Sequence, residues 1–256
     1  PPYRLGRRLV LADLGGPGLE SLGTALRAEG HEIETRPVDV GDRASVAALG
    51  RYCGGLGRVV SVVHTAGVSP AQASAERILR VDLLGVAHMI DEFGSVIAPG
   101  AAAVVIASMA GHRMLSRLSP EQEQALGRTP AEELLDLPFV RSTVDSAREA
   151  YWMAKRGDQL QVQAAAAVWA ARGARINSIS PGVVATPMGA AELAGPRADQ
   201  VRAAIAGSPA GRIASPDDIA AAAAFLLGPE ALYITGTDLL VDGGGTARRA
   251  RASAGA

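Results

Sequence analysis

Residues 58–67 read Arg58-Val59-Val60-Ser61-Val62-Val63-His64-Thr65-Ala66-Gly67. From Arg58 to Val63 the run is short, mostly β-branched and without a clean polar–apolar alternation. Such a run marks a strand buried on both sides, as in parallel sheets whose faces are covered by helices. It passes directly into the small, turn-forming residues Thr65-Ala66-Gly67.

The same pattern recurs in both directions. Upstream, Arg8 to Ala12 is a strand ending at Asp13, Glu20 to Glu29 a helix closed by Gly30, and Glu32 to Val38 a strand ending at Asp39-Val40. Arg43 to Tyr52 is helical. Downstream come a long helix over Glu76 to Ile97, a strand over Ala102 to Ala107 with Ser108 at its carboxyl end, and a long helix reaching about Arg172. A strand over Arg175 to Ile179 follows, then the loop Ser180-Pro181-Gly182. Ser215-Pro216-Asp217-Asp218 is a capping box with proline at the first helical position, so a helix starts there and ends before Gly228. The strand Asp238 to Val241 and a glycine-rich tail finish the chain. Strands alternating with helices throughout predict an α/β fold. Residues 1–256 are expected to form one domain on a doubly wound parallel sheet with helices on both faces.

Bulk properties narrow the function. A chain of 256 residues, 48% hydrophobic and 20% charged, can bury a full core. Its formal charge of -1 gives no reason to expect nucleic acid, and Arg248, Arg249 and Arg251 read as a solvated tail. One cysteine, Cys53, excludes an internal disulfide framework and fits a reducing, cytoplasmic setting. No apolar run is long enough to span a membrane, and Pro1-Pro2-Tyr3-Arg4 has no signal-peptide pattern. His31, His64, His88, His112 and Cys53 show no metal-ligand spacing, so no metal is expected.

In sheets of this kind ligands lie beyond the carboxyl ends of the strands. Asp13, Asp39, Ala66-Gly67, Ser108 and Pro181-Gly182 are found there. Beside them Tyr151-Trp152-Met153-Ala154-Lys155 sets a tyrosine and a lysine on one helical face. The ammonium favours the phenolate, drawing the tyrosine pKa toward the working pH, where it can exchange a proton with a reacting oxygen. Lys155 is the only lysine in the chain, kept where a compact ammonium is not interchangeable with a guanidinium. The plain alternative is a surface tyrosine beside a surface lysine.

Val38-Asp39-Val40, Thr65-Ala66-Gly67, Ser108, Tyr151 to Lys155, Asn177 to Gly182 followed by Thr186, and Asp242-Gly243-Gly244 occur in an order that resembles the short-chain dehydrogenase/reductase family. The likeness runs along nearly the whole chain. It implies a Rossmann-type fold and an NAD-dependent oxidoreductase interconverting a secondary alcohol and a ketone. It implies that Ser108 holds the substrate oxygen, Tyr151 is the general acid/base, and Lys155 holds the nicotinamide ribose. Asp39 and Val40 would flank the adenine, Val184 and Thr186 would meet the nicotinamide carboxamide, and Thr65, Ala66, Gly67, Pro181 and Gly182 would line the cofactor. Asp13, ending the family's second strand, can accept both hydroxyls of the adenosine ribose and would repel a 2′-phosphate, favouring NAD over NADP. Capping the next helix is its alternative role. Pairing through the long helices, as in the family, implies a homo-oligomer, a tetramer or a dimer.

Three features depart from the family pattern. The family opens with a strand and a glycine-rich turn that meets the pyrophosphate at a helix N-terminus. Gly15-Gly16-Pro17-Gly18 is similar to that turn, but the interval from Asp13 to Asp39 fits one step from the second strand to the third. The first strand and its turn are therefore expected to be absent from this sequence and to lie upstream. Asp82, in Val81-Asp82-Leu83-Leu84-Gly85, and Thr65 stand where asparagine is usual. A carboxylate can still accept from a water in the proton relay to the lysine, which keeps Asp82 among the catalytic candidates.

The third departure is a helical insertion at about 110–145. Ser119-Pro120-Glu121-Gln122 and Thr129-Pro130-Ala131-Glu132 each predict a capped short helix, the second ended by Pro138. Met114, Leu118, Leu126, Leu134, Leu135 and Phe139 are expected to roof the substrate pocket, which suggests a bulky steroid-like or polyketide-like substrate. A similar segment occurs in the family's hydroxysteroid dehydrogenase/carbonyl reductase branch; a subunit contact is the alternative. Taken at face value, the absent turn gives a second reading, a cofactor-independent or non-catalytic relative.

Overall fold

The computed structural model describes residues 7–254, so Pro1-Pro2-Tyr3-Arg4 lies outside the described part. The chain runs β1 (Leu9–Asp13), α1 (Pro17–Ala28), β2 (Ile33–Pro37), α2 (Arg43–Leu56), β3 (Val59–His64), α3 (Ala75–Ile78), a π-helical turn (Leu79–Leu84), α4 (Gly85–Val96) and β4 (Ile97–Ile106). The inserted α5 (Pro120–Arg128), α6 (Ala131–Leu134) and α7 (Pro138–Arg141) precede α8 (Ala147–Ala171) and β5 (Arg175–Pro181). After these come α9 (Pro187–Ala194), α10 (Ala198–Ala206), α11 (Pro216–Leu227), β6 (Asp238–Val241) and α12 (Gly245–Ala254).

Every strand pair is parallel, with order β3-β4-β5-β6 in one sheet and β1-β2 in another. Successive residues of β4 point to opposite faces. Ala103 and Val105 meet Val86, Met89 and Phe93 of α4 and Trp169 of α8, while Val104 meets Leu226 of α11. Helices thus cover both faces, as the sequence pattern required. A third cluster joins the inserted helices to α3, the π turn and α8.

Among the described residues β1 pairs only with β2, and β3 only with β4. The sheet is divided where the sequence led us to expect an absent strand. No residue of β1 is buried, and Leu9 of β1 and Val63 of β3 are each 48% exposed. By contrast all seven residues of β5 are buried.

Several local expectations are corrected. The predicted helix over 76–97 is a rod whose middle is π-helical, a wider turn found mainly at functional sites, and Asp82 lies in it. Ser119 and Ser215 form their capping boxes, but Thr129 ends α5 and gives α6 no side-chain cap. Pro138 begins α7 instead of ending α6, because proline suits the first helical position. Gly16 and not Asp13 is the N-cap residue of α1. The glycine-rich tail turns at Gly243 and Gly244, both at positive φ, into α12, where the Arg248 guanidinium donates to the Gly207 carbonyl. Arg248, Arg249 and Arg251 are exposed, as expected, but they lie on a helix and not on an irregular tail. The helices α9 and α10 were not foreseen.

Candidate active site

Tyr151, Lys155 and Asp158 follow one another down a single face of α8. Two glycines let other segments reach that face. A Cβ on Gly157 would stand 2.2 Å from Leu83 Cδ1, so the Leu83 side chain from the π turn fills the space that a side chain at 157 would take. A Cβ on Gly111 would stand 2.7 Å from the Lys155 carbonyl oxygen, which seats the segment following Ser108 on the backbone of α8. As a result Ser108 and Tyr151 line one cavity of about 240 Å³, with Met109, Trp152, Gly182 and Val183. A neighbouring cavity of about 420 Å³ shares Met109, Gly182, Val183 and Ala204 but reaches neither Ser108 nor Tyr151.

Beneath the cavity Lys155 is buried. Its Nζ donates to Asp158 Oδ2 at 3.0 Å and to the Ile106 carbonyl at 3.2 Å, and lies 3.5 Å from Asp82 Oδ2. The same ammonium is 5.8 Å from the centre of the Tyr151 ring. Asp82 Oδ1 accepts from the Val68 amide at 2.8 Å, which ties the loop after Thr65-Ala66-Gly67 to the π turn. Asp82 Oδ2, Asp158 Oδ1 and His64 Nε2 are buried without a hydrogen-bond partner.

The charges set the proton affinities. Burial alone would lower the Lys155 pKa, but Asp158, Asp82 and Tyr151 outweigh it and hold the ammonium protonated. Burial raises Asp158 to about 7 and also raises Asp82, each against the pull of Lys155. Tyr151 is raised as well: burial leads, and Asp82 and Asp158 oppose the lowering by Lys155 and the Ser108 hydroxyl. The expected depression of the phenol pKa is therefore corrected. The lysine acts in the predicted sense, but two carboxylates cancel much of its field.

Ser108 itself is braced. Its Oγ accepts from the Ala110 amide at 3.1 Å, and Gln159 Nε2 donates to its carbonyl at 3.3 Å and to Ser180 Oγ at 2.9 Å. Ser178 and Ser180 donate to Asp238 Oδ1, whose other oxygen is 2.9 Å from His112 Nε2.

The residues expected around a dinucleotide divide into two groups. Pro181 ends β5, and Gly182, Val184 and Thr186 follow it, Gly182 lining the cavity; Thr186 caps α9, and Gly182 packs against Asp242 so closely that a Cβ would stand 2.9 Å from Asp242 Cα. Thr65, Ala66 and Gly67 follow β3, and a Cβ on Gly67 would meet Asp82 Oδ2 at 3.5 Å and Lys155 Nζ at 3.6 Å. Asp13 is exposed at the end of β1, its Oδ1 accepting from the Leu14 amide at 2.6 Å. Asp39 accepts from the Gly41 amide and lies 3.8 Å from Arg77, while the Val40 carbonyl is 2.9 Å from His88 Nδ1. The residues present fit the ribose and nicotinamide end: Gly67 lies against the Asp82–Lys155 pair, and Asp82 Oδ2 is without a hydrogen-bond partner. For the pyrophosphate, no glycine-rich strand–turn–helix unit stands beside β3 among the described residues. No cluster able to hold a metal occurs among the described residues either.

The six apolar residues expected to roof the cavity do not line it. Met114, Leu126 and Leu134 are buried in the cluster against α8, with Leu118, Leu135 and Phe139 packed on them. The insertion turns its apolar side inward and presents Arg113 to the cavity instead. Asp158, Gln159 and the arginines around Trp152 were missed. Asp158 was legible as the third residue of the Tyr151–Lys155 face; the arginines come from separate segments, and no local pattern joins them.

Residues 137–246 match a family described as Enoyl-(Acyl carrier protein) reductase. Over 246 residues the chain is 37% identical to a short-chain dehydrogenase/reductase of Alternaria brassicicola, covering 96% of this chain and 90% of that one. It is 30% identical over 237 residues to a 3-alpha-hydroxysteroid dehydrogenase/carbonyl reductase of Comamonas testosteroni, covering 86% and 88%. Among solved structures it is similar to the 3-alpha-hydroxysteroid dehydrogenase from Pseudomonas sp. B-0831 complexed with NADH. That likeness has a TM-score of 0.71 and 28% identity and covers 92% and 96% of the two chains.

Proposed function

The chain belongs to the short-chain dehydrogenase/reductase family, and on that premise we propose that it is an NAD(H)-dependent oxidoreductase interconverting a secondary alcohol and a ketone. The observation that carries the reading is one cavity lined by both Ser108 and Tyr151, with the Lys155 ammonium beneath. Ser108 polarises the substrate oxygen, Tyr151 passes the proton, and Lys155 holds the ribose and stabilises the phenolate that forms. Asp82 fixes Lys155 and accepts from a relay water. The bound nicotinamide supplies or takes the hydride.

Gly67, Thr65, Ala66, Pro181, Gly182, Val184 and Thr186 border the nicotinamide end, and Asp13, Asp39 and Val40 the adenosine end. Asp13 favours NAD over NADP, since its exposed carboxylate would face a 2′-phosphate. We read the chain as one domain, paired into a homotetramer or dimer through α4 and α8. A cytoplasmic setting suits Cys53, whose thiol burial pushes up in pKa and so keeps unreactive. A bulky steroid-like or polyketide-like substrate draws support from the hydroxysteroid dehydrogenases named above, and none from the insertion's apolar side chains.

Among the described residues β1 and β3 each have one unpaired edge, which favours a second reading, a relative that binds no dinucleotide. Titrating NADH while following its fluorescence separates the two: micromolar binding supports the oxidoreductase, and none supports the alternative. Tyr151→Phe should cut turnover about 10²–10⁴-fold while leaving NADH binding nearly intact. Undiminished turnover in that variant would overturn the assignment.

A further inference from the structure

The cavity that holds Ser108 and Tyr151 has a cationic mouth. Arg113, from the segment after Ser108, and Arg148, on the first turn of α8, line it together with Arg197, which precedes α10. The guanidinium carbons of Arg113, Arg117 and Arg148 stand 5.3, 5.0 and 5.0 Å from the centre of the Trp152 ring. Cations gather over an indole because the ring face is electronegative, but each such contact is worth only about 0.5–2 kcal/mol and leaves the N–H donors free. Arg117 is 3.5 Å from Glu149 and Arg197 is 3.6 Å from Glu192. Among the described residues no carboxylate pairs with Arg113 or Arg148. Burial, and then the fields of Arg249, Arg148, Arg117 and Arg197, push the Arg113 pKa down to about 10.

Three segments distant in sequence thus bring three guanidinium groups to one small cavity, whose lining holds a single carboxylate, Glu192, already paired with Arg197. Like charges so placed repel, and an anion entering the cavity would relieve the repulsion that Glu149 and Glu192 leave. We propose that Arg113, Arg148 and Arg197 receive an oxyanion carried by the substrate itself, so that the ketone or alcohol turned over at Tyr151 is an acid, a carboxylate or a phosphate ester. The proposal rests on the oxidoreductase reading for its reaction but not for its binding site. Guanidinium suits the task because its planar fork matches carboxylate and phosphate oxygens.

The test uses the full chain with NADH and three ketones of one skeleton: 4-oxocyclohexanecarboxylate, its methyl ester, and the phosphate ester of 4-hydroxycyclohexanone. The acid should exceed its methyl ester in kcat/KM by about tenfold or more, the size of one charge-assisted hydrogen bond. In Arg113→Met/Arg148→Met that ratio should fall toward one, and Arg113→Lys should restore part of it. A phosphate ester preferred over the carboxylate keeps the oxyanion and assigns it to phosphate. An ester as good as the acid, or a preference that survives the double variant, overturns the proposal. Cyclohexanecarboxylate, which cannot be reduced, is titrated separately against Trp152 fluorescence. Binding that is lost in the double variant, with no ketone turned over, would uphold the anion site and sink the oxidoreductase reading; no binding of this probe or of cyclohexyl phosphate would sink the site.

Discussion

The β3-β4-β5-β6 sheet and the β1-β2 pair are built from the same repeating strand and helix, yet they differ in what holds them. In the four-stranded half β4 and β5 lie between α4 and α8 on one face and α11 on the other, and β5 is buried throughout. In the two-stranded half β1 has no buried residue, and each strand has one partner. The residues proposed for chemistry, Ser108, Tyr151 and Lys155, all belong to the first. Those proposed for the adenosine, Asp13 and Asp39, belong to the second. A parallel strand is stable only when both faces are covered, so the reactive end of the molecule should stay folded while the adenosine end opens.

The largest expected effect exploits that contrast. Trp169 is 1% exposed at the centre of the main cluster, and Trp169→Ala should cost about 3–5 kcal/mol in denaturant unfolding. Leu9→Ala, in a side chain 48% exposed, should cost under about 1 kcal/mol. Hydrogen exchange should likewise release the amides of β1 and β2 well before those of β4 and β5. Equal costs, or equal protection, would mean that the two halves unfold as one unit and that the comparison is wrong.

Periodicity and punctuation made the layers legible: the buried-type runs became strands, and Ser119 and Ser215 capped the helices they were expected to cap. The break between β2 and β3 was legible too, because the interval from Asp13 to Asp39 allows only one strand-helix-strand step. What escaped were consequences of tertiary contact. A π turn at Asp82 has no distinct composition. The roof failed because apolar residues at helical spacing were assigned to a cavity when the nearer apolar surface was α8 itself. The phenol pKa failed for a related reason: Lys155 was counted alone, and neither burial, which raises the pKa most, nor the Asp82 and Asp158 carboxylates were weighed against it.

A middle-sized effect tests how the four-stranded half positions its site. Gly111 has no special φ; it matters because its backbone rests on that of α8, where a Cβ would stand 2.7 Å from the Lys155 oxygen and 2.9 Å from the Arg156 nitrogen. Neither is the end of a flexible side chain, so Gly111→Ala must shift the segment carrying Ser108. Destabilisation of about 1–3 kcal/mol is expected, with a larger loss in kcat than in NADH affinity. An unchanged kcat would show that the seat of this segment does not position Ser108.

The last effect is a slope with pH, and it too is confined to the four-stranded half. Folded Asp158 keeps its proton up to about 7, whereas the unfolded chain releases it near 3.8. Between those values the folded state binds more protons, so this group makes stability fall as pH rises. Buried His64 works in the opposite sense: burial, aided by Lys155, lowers it from 6.5 to about 3, so it makes stability rise with pH across that interval. In the natural chain the two slopes oppose each other between about pH 4 and 6.5. Asp158 is faced by Lys155, Asp82 and Asp238, and replacing it with asparagine removes its slope while keeping its shape. Urea unfolding of Asp158→Asn at successive pH values should show stability rising more steeply from pH 4 to 6.5, by up to about 1.4 kcal/mol per pH unit, one proton's worth. An unaltered slope would mean that Asp158 is ionised throughout, held so by Lys155 against the cost of burial, and that the ammonium has less field left for Tyr151 than the arrangement of charges implies.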